Sequence, residues 1–461
     1  MKKLALAICA LFGISLAQDR YLVQIPTDPT FRSEIIISNT SYQALGVRLE
    51  GHDSSGTLLT TIDHLVVPGL QTLIFNSLDL LGNDVTSVFI PSAFNDPRLK
   101  FVVAYSHETF NGRSHIAAKS DSQTSWRFYY DEQVDYYDAG VLLNTGNEAM
   151  DMTISQIGSN GNMLGEQSFS QIPSKGKFNF LVDNFFTHTP GAHYEVSTTQ
   201  PSIFLGIRGL LAGSIFYENR GLTNIPSDGL GYISNVFHGS VTSEQLIVCN
   251  VDDVTRAYNI TGYQNDGSAN LPLIGQIGPG QTLYLDPFVV LGGEIDYLKV
   301  DSDPGVKVTI VNGYEHPSPL VHESMSQDEP WHVWRVIAGA EDQVDFVTLV
   351  NTSDAPINLK ISFYNQEGHL LEEDEWLQDL APGARFAWVN SFDDPSGVWI
   401  RVLGTGPFML SDGRLDPSTG RLSHGIAFKD RSFCDLPGAI PFWNQSLMID
   451  DLVMISSFCP K

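Results

Sequence analysis

The sequence predicts an all-β protein: four tandem antiparallel β-sandwich modules, Ig-like in the broad sense, of roughly 105 residues each. Three observations carry this. A set of markers recurs four times in the same order, hydrophobic residues alternate with a period of two, and turn residues interrupt the chain about every ten positions.

The markers begin with asparagines that end an apolar run: Asn39 (EIIISN), Asn144 (GVLLN), Asn250 (QLIVCN) and Asn351 (FVTLVN), spaced by 105, 106 and 101 residues. A glycine follows each at an offset of 17, at Gly56, Gly161, Gly267 and Gly368. Prolines come next at Pro68, Pro173, Pro279 and Pro382, and a second set, Pro97, Pro201, Pro304 and Pro407, lies 54 to 58 residues past the asparagines.

Between the markers, at offsets 8 and 10, stand Val47 and Leu49, Met152 and Ile154, Tyr258 and Ile260, and Leu359 and Ile361, with mostly polar residues around them. That alternation predicts a strand with one face on a core. The glycines fall in HDSSG, GSNG, QNDG and NQEG, which predict hairpin turns that need a residue at positive φ. LKFVVAY, SIFLGIRG, VKVTIVNGY and FMLSDGRL are the predicted late strands, and no stretch has a convincing helical period. The competing architecture is a propeller, which would need two blades per copy because blades run to about 40–50 residues.

The first residues, Met1-Lys2-Lys3 followed by an apolar run to Leu16, predict a signal peptide over 1–17, cleaved after Ala17 and too short to span a bilayer. The expected modules are 18–120, 121–226, 227–325 and 326–424. A C-terminal extension, 425–461, contains DDLVMISSF (450–458), which reads as a fifth opening strand that completes the fourth module.

Three cysteines remain after cleavage. Cys434 and Cys459, both near the end, are the expected disulfide, worth about 3 kcal/mol by loop entropy. Cys249 occupies the slot held by Ser38, Leu143 and Val350 in the other copies, which predicts an inert core thiol.

The run from asparagine to Pro-Gly, as in LVNTSDAPINLKISFYNQEGHLLEEDEWLQDLAPG, resembles tandem β-sandwich modules of secreted bacterial proteins of unassigned function. The resemblance covers all four copies. It implies a module type and no catalytic motif.

With 53 acidic against 26 basic residues and a net charge of −27, the chain would repel nucleic acid. No nucleophile elbow, P-loop, Rossmann fingerprint or H-E-x-x-H is present. His316, His322 and His332 match no usual zinc spacing and read as loop histidines. Among the acidic clusters, Asp301 with Asp303 and Asp393 with Asp394 are candidate calcium ligands, although none forms a spaced calcium loop.

The stretches between modules are unlike one another and aromatic. Trp126, Tyr129, Tyr130 and Tyr136 lie in the first, Trp331 and Trp334 in the third. Such rings beside carboxylates serve either to bury the joints between modules or to stack on sugar rings. The expected function is therefore a secreted, non-enzymatic structural, adhesive or scaffolding protein. The alternatives are a carbohydrate-binding protein using those aromatics and a hydrolase with a site assembled between modules.

Overall fold

A computed structural model describes residues 18–429 apart from 29, 108–109, 130–135, 188, 190, 211–215, 220–229, 234–235, 237–241, 315–320, 325–330, 338–343, 372–374, 391–396, 417–420 and 425. The described chain is all-β, and every strand pairing in it is antiparallel. No described helix is long and apolar enough to cross a membrane. The expected signal segment, Asp393, Asp394, the expected strand at 450–458, Cys434 and Cys459 lie outside the described residues.

Each repeat contributes an asparagine strand (Phe31–Asn39, Tyr136–Asn144, Thr242–Asn250, Val344–Asn351) and a return strand that pairs with it (Leu99–His107, His193–Leu210, Val306–Tyr314, Gly397–Asp416). In the first repeat the strands form two four-stranded sheets. Their orders are 20–22, 87–90, 45–52, 58–67 and 72–76, 31–39, 99–107, 110–117. The third repeat has the same two orders. Neither order is the sequential meander of a propeller blade, and Ile35, Ile37, Val47 and Leu49 share one core between the two sheets. The expected alternation holds, since all eight residues at offsets 8 and 10 are buried.

The second and fourth repeats differ. Their return strands, of 18 and 20 residues, run on far enough to pair with both halves, so the strands merge into sheets of seven and eight. The first and third repeats instead carry a five-residue helix, Ser77–Leu81 and Pro287–Leu291, capped by Asn76 and Asp286. Each cap side chain accepts from the backbone N–H groups two and three residues on. A helix of one turn leaves no readable period, which is why the sequence pattern misses it.

The marker asparagines explain the repeat. Asn144 is fully buried, and its Nδ2 donates to the carbonyls of Glu148 (2.7 Å), Ile172 (3.1 Å) and Pro173 (3.1 Å) while its Oδ1 accepts from Gly146 N. Asn39 makes the same four contacts at the same offsets, Asn250 makes them with the two hairpin carbonyls one residue nearer, and Asn351 makes three of them. One carboxamide thus ties the end of its strand to the next loop and to the end of the hairpin.

The marker glycines all lie at φ between +80° and +86°. They also serve a second purpose. A Cβ on Gly161 would stand 2.7 Å from Pro279 O, in the proline turn of the next repeat, and one on Gly56 would strike Ser174 O. Beside each contact the backbone bonds across the joint: Lys177 N to Ser54 O (2.9 Å), Thr282 N to Ser159 O (3.2 Å), and Arg385 N to Asn265 O (2.9 Å). The fourth member of the set is Thr72 N to Gln366 O (3.0 Å), which joins the last repeat to the first. The joints therefore run from first to fourth and back again, so the repeats close on themselves instead of extending as an open array.

The asparagine strands are buried on both faces. Ile35 and Ile37 enter the first core, whereas Ile36 packs with Val102 and Ala104 against Ile337 and Trp399 of the fourth repeat. Leu246 and Val248 face the third core while Ile247 and Cys249 face the other way. This is why the runs IIIS, VLLN and LIVC are continuous rather than alternating.

Two outcomes test this account. Asn144→Ala removes four hydrogen bonds at a buried position and should cost about 1–3 kcal/mol in denaturant unfolding, the usual cost of leaving a buried polar group without its partner. Gly161→Ala should cost at least about 1 kcal/mol more than Gly292→Ala. Both positions have positive φ, but nothing stands within 4 Å of a Cβ at Gly292. Equal costs would mean that the close approach to Pro279 is unimportant.

Candidate functional site

The chemistry-bearing side chains collect at the joints. Between the second and third repeats, Arg127 comes from the strand Gln123–Tyr129, which pairs with the second return strand, and its guanidinium reaches across. Nη1 donates to Asn250 O at 2.8 Å and lies 3.5 Å from Cys249 Sγ, while Nη2 is paired with Glu195. Thr282 Oγ1 donates to the same sulfur at 3.3 Å and contacts His193 Nδ1 at 3.2 Å.

Cysteine, histidine, threonine and a carboxylate together suggest a nucleophile. The environment argues otherwise. Cys249 is wholly buried, and burial pushes its thiol up despite the opposing pull of Arg127. Burial likewise lowers His193, while the His193 ring 3.7 Å away and the charge of Arg127 hold Glu195 below the usual carboxylate range. At neutral pH the set is a neutral imidazole, a protonated thiol and an Arg–Glu ion pair, with the thiol and the imidazole buried in the joint and Glu195 at its edge. Cys249 is buried, as expected, but in the joint rather than in its own repeat's core, and the basic neighbour was invisible in sequence because Arg127 lies 122 residues away.

The fourth repeat repeats the device against the first. Arg335 is fully buried, its Nη1 donating to Ser38 Oγ (3.0 Å) and Asn39 O (3.1 Å), and Ser38 fills the slot that Cys249 fills in the third repeat. Its guanidinium lies 3.7 Å above the Trp399 ring, which stacks on Tyr364 at 3.9 Å. The other two joints use tyrosines. Lys175 Nζ donates to Tyr21 OH (3.0 Å) and sits 4.5 Å from the Phe89 ring, and Tyr297 OH donates to Gly383 O (2.6 Å) while stacking on Tyr263.

Of the predicted aromatic positions, Trp126 and Trp334 are interior, 6 % and 1 % exposed. Their Nε1 groups donate to Ser202 Oγ and Phe408 O, each in its own repeat's core, so neither ring offers a face to a ligand. Tyr129, Tyr136 and Trp331 are placed only by backbone, in the strands Gln123–Tyr129, Tyr136–Asn144 and Trp331–Ile337, and Tyr130 lies outside the described residues. A W-R dipeptide at 126–127 and 334–335 is the signal that marks the two arginine joints.

Asp303 accepts from Ala257 N at 2.8 Å and anchors a strand end, whereas Asp301 closes the strand Tyr297–Asp301. Among the described residues no group of three or more His, Cys, Asp or Glu side chains is placed to hold a metal. A surface cleft of about 750 Å3 lies where the first two repeats meet. Asp19, Ser92, Ser120, Ser122, Asn147 and Glu148 line it.

No family model matches the sequence, and no curated protein matches it.

The first joint carries a titratable marker. Lys177 Nζ donates to Gln24 Oε1 (2.7 Å) and Thr86 O (2.8 Å), and burial pushes its ammonium down to about 7. Its folded pKa lies below the unfolded value of 10.5, so between these pH values the unfolded chain holds the extra proton and stability rises with pH. Tyr21 and Tyr297 are raised above the ordinary 10.0 by burial, so above pH 10 the unfolded chain ionises first and stability falls. Unfolding free energy should therefore climb above pH 7 and decline beyond about pH 10. Lys177→Gln should flatten the rising limb and leave the falling one.

Proposed function

We propose that this chain is a non-enzymatic extracellular protein with a structural, adhesive or scaffolding role. The observation that carries this reading is the closure of the four joints. The reactive-looking groups at the second and fourth joints are consumed in holding repeats together, and the assembly is braced all round. A braced body of this kind suits the presentation of outer loops and sheet edges to a partner. The leading segment 1–17 supports export, and the strong negative charge supports an aqueous, non-nucleic-acid setting.

One observation favours carbohydrate binding as a second reading. The cleft between the first two repeats is lined by hydroxyls, amides and the carboxylates of Asp19 and Glu148, groups that bond sugar hydroxyls.

A retention assay of the mature chain on cell-envelope fractions and on immobilised polysaccharides separates the readings. Envelope retention that is indifferent to Glu148→Gln and Asp19→Asn supports the scaffold. Polysaccharide retention that falls several-fold in those variants supports the glycan cleft. Turnover of polysaccharide or ester substrates that tracks the folded protein would sink the non-enzymatic reading.

A further inference from the structure

The first repeat differs from the others around one surface cleft. In the second and fourth repeats the hairpin after the marker asparagine has a bulge opposite the residue at offset 7. That residue, Asp151 or Asn358, accepts through Oδ1 from the bulge amide of Gln171 (3.0 Å) or Asp379 (2.9 Å). In the first repeat the bulge falls opposite Arg48, two residues further on, and offset 7 is Gly46. Arginine has donors only, so its side chain cannot accept from the amide of His64, which keeps the left-handed backbone of Gln171 and Asp379. Bulges of this kind re-aim side chains beside binding sites.

The return side differs too. The offset-7 amides of Asp151, Ala257 and Asn358 donate to side-chain oxygens of Thr199, Asp303 and Thr405. In the third repeat four residues, 302–305, lead into the return strand. The first repeat takes eight, 91–98, including the 3-10 turn Ser92–Phe94, and nothing lies within 4 Å of a Cβ at Gly46. A cleft of about 630 Å3 is left between this detour and the bulge.

Its walls carry a defined chemistry. Phe94 is 47 % exposed, with the Arg48 guanidinium 5.7 Å from its ring centroid. Arg48 is held by Glu50 (2.9 Å) and Asp63 (3.5 Å), and the Asp63 side chain is half exposed. Asn95 is 2 % exposed, and its Nδ2 donates to Gln18 O at 2.5 Å. That bond makes Oδ1 the spare atom, and this oxygen is buried without a hydrogen-bond partner. An open aromatic ring, a guanidinium donor, a carboxylate acceptor and an unpaired amide oxygen around one cavity suit a ring compound rich in hydroxyls. The guanidinium beside the ring opposes a cationic ligand, and Asp63 with Glu50 opposes an anionic one.

We propose that this cleft binds a neutral saccharide unit, stacked on Phe94 and hydrogen-bonded by Arg48, Asp63 and Asn95. The site takes up the carbohydrate reading in a cleft of its own, which meets the one between the first two repeats at Ser92, so either can fail without the other.

The test is calorimetric titration of the full mature chain with cellohexaose, mannohexaose and chitohexaose, with hexagalacturonate as the anionic control. At least one neutral hexasaccharide should bind. Phe94→Ala should weaken it about tenfold or more, through loss of the stacked ring. Gly46→Asp, which restores the side chain of the second repeat at an open position, should weaken it comparably by filling the cleft. Should Phe94→Ala fail to fold, Gly46→Asp decides. Val289→Ala, at an exposed residue of the third repeat, should bind as the wild type does. Binding of no neutral probe overturns the proposal, as does tighter binding of hexagalacturonate. Binding that survives in Phe94→Ala and Gly46→Asp but falls in Glu148→Gln places the sugar in the neighbouring cleft and overturns this site alone.

Discussion

A buried asparagine carboxamide donates to three carbonyls and accepts from one amide at the end of each first strand, and most of the structure hangs on that arrangement. A side chain with two donors and a carbonyl can satisfy a loop, a hairpin end and a proline turn at once. An apolar residue in its place would lose all of these bonds at a buried position. The same residues link one repeat to the next. The backbone carbonyls of Asn39 and Asn250 are the acceptors for Arg335 and Arg127 of the preceding repeat. The point that organises a sandwich therefore also receives its neighbour.

Closure follows from double burial. A strand such as Phe31–Asn39 has one face for its own core and one for the repeat before it, and the fourth repeat fills that place for the first. Were the array open, Ile36, Val102 and Ala104 would form an apolar face in water. Their burial against Ile337 and Trp399 removes it. Alternation is superimposed on the fourfold plan. The first and third repeats have split sheets and a capped helical turn, while the second and fourth have through-running return strands and an arginine, so arginine joints alternate with tyrosine joints.

Much of this was legible. The glycine at offset 17 announces positive φ, and every one has it; Val47, Met152, Tyr258 and Leu359 announce a half-buried strand, and each is buried. The helical turns were not legible, because Asn76 and Asp286 cap elements too short to show a period. Nor was the fate of the tryptophans, since an aromatic residue in a linking stretch reads alike whether it enters a core or faces solvent. Arg127 beside Cys249 could not be read at all, for nothing local connects residues 122 positions apart.

By itself the sequence determined the things that local physics dictates: an all-β chain, its repeat, its turns, its alternating faces and its strongly acidic composition. Only the tertiary structure decided that the fourth repeat returns to the first and which groups the joints consume. The physical reason is that periodicity and turn chemistry act over a few residues. Closure and register depend on which surfaces meet after the strands have formed, and a sequence pattern carries no record of that.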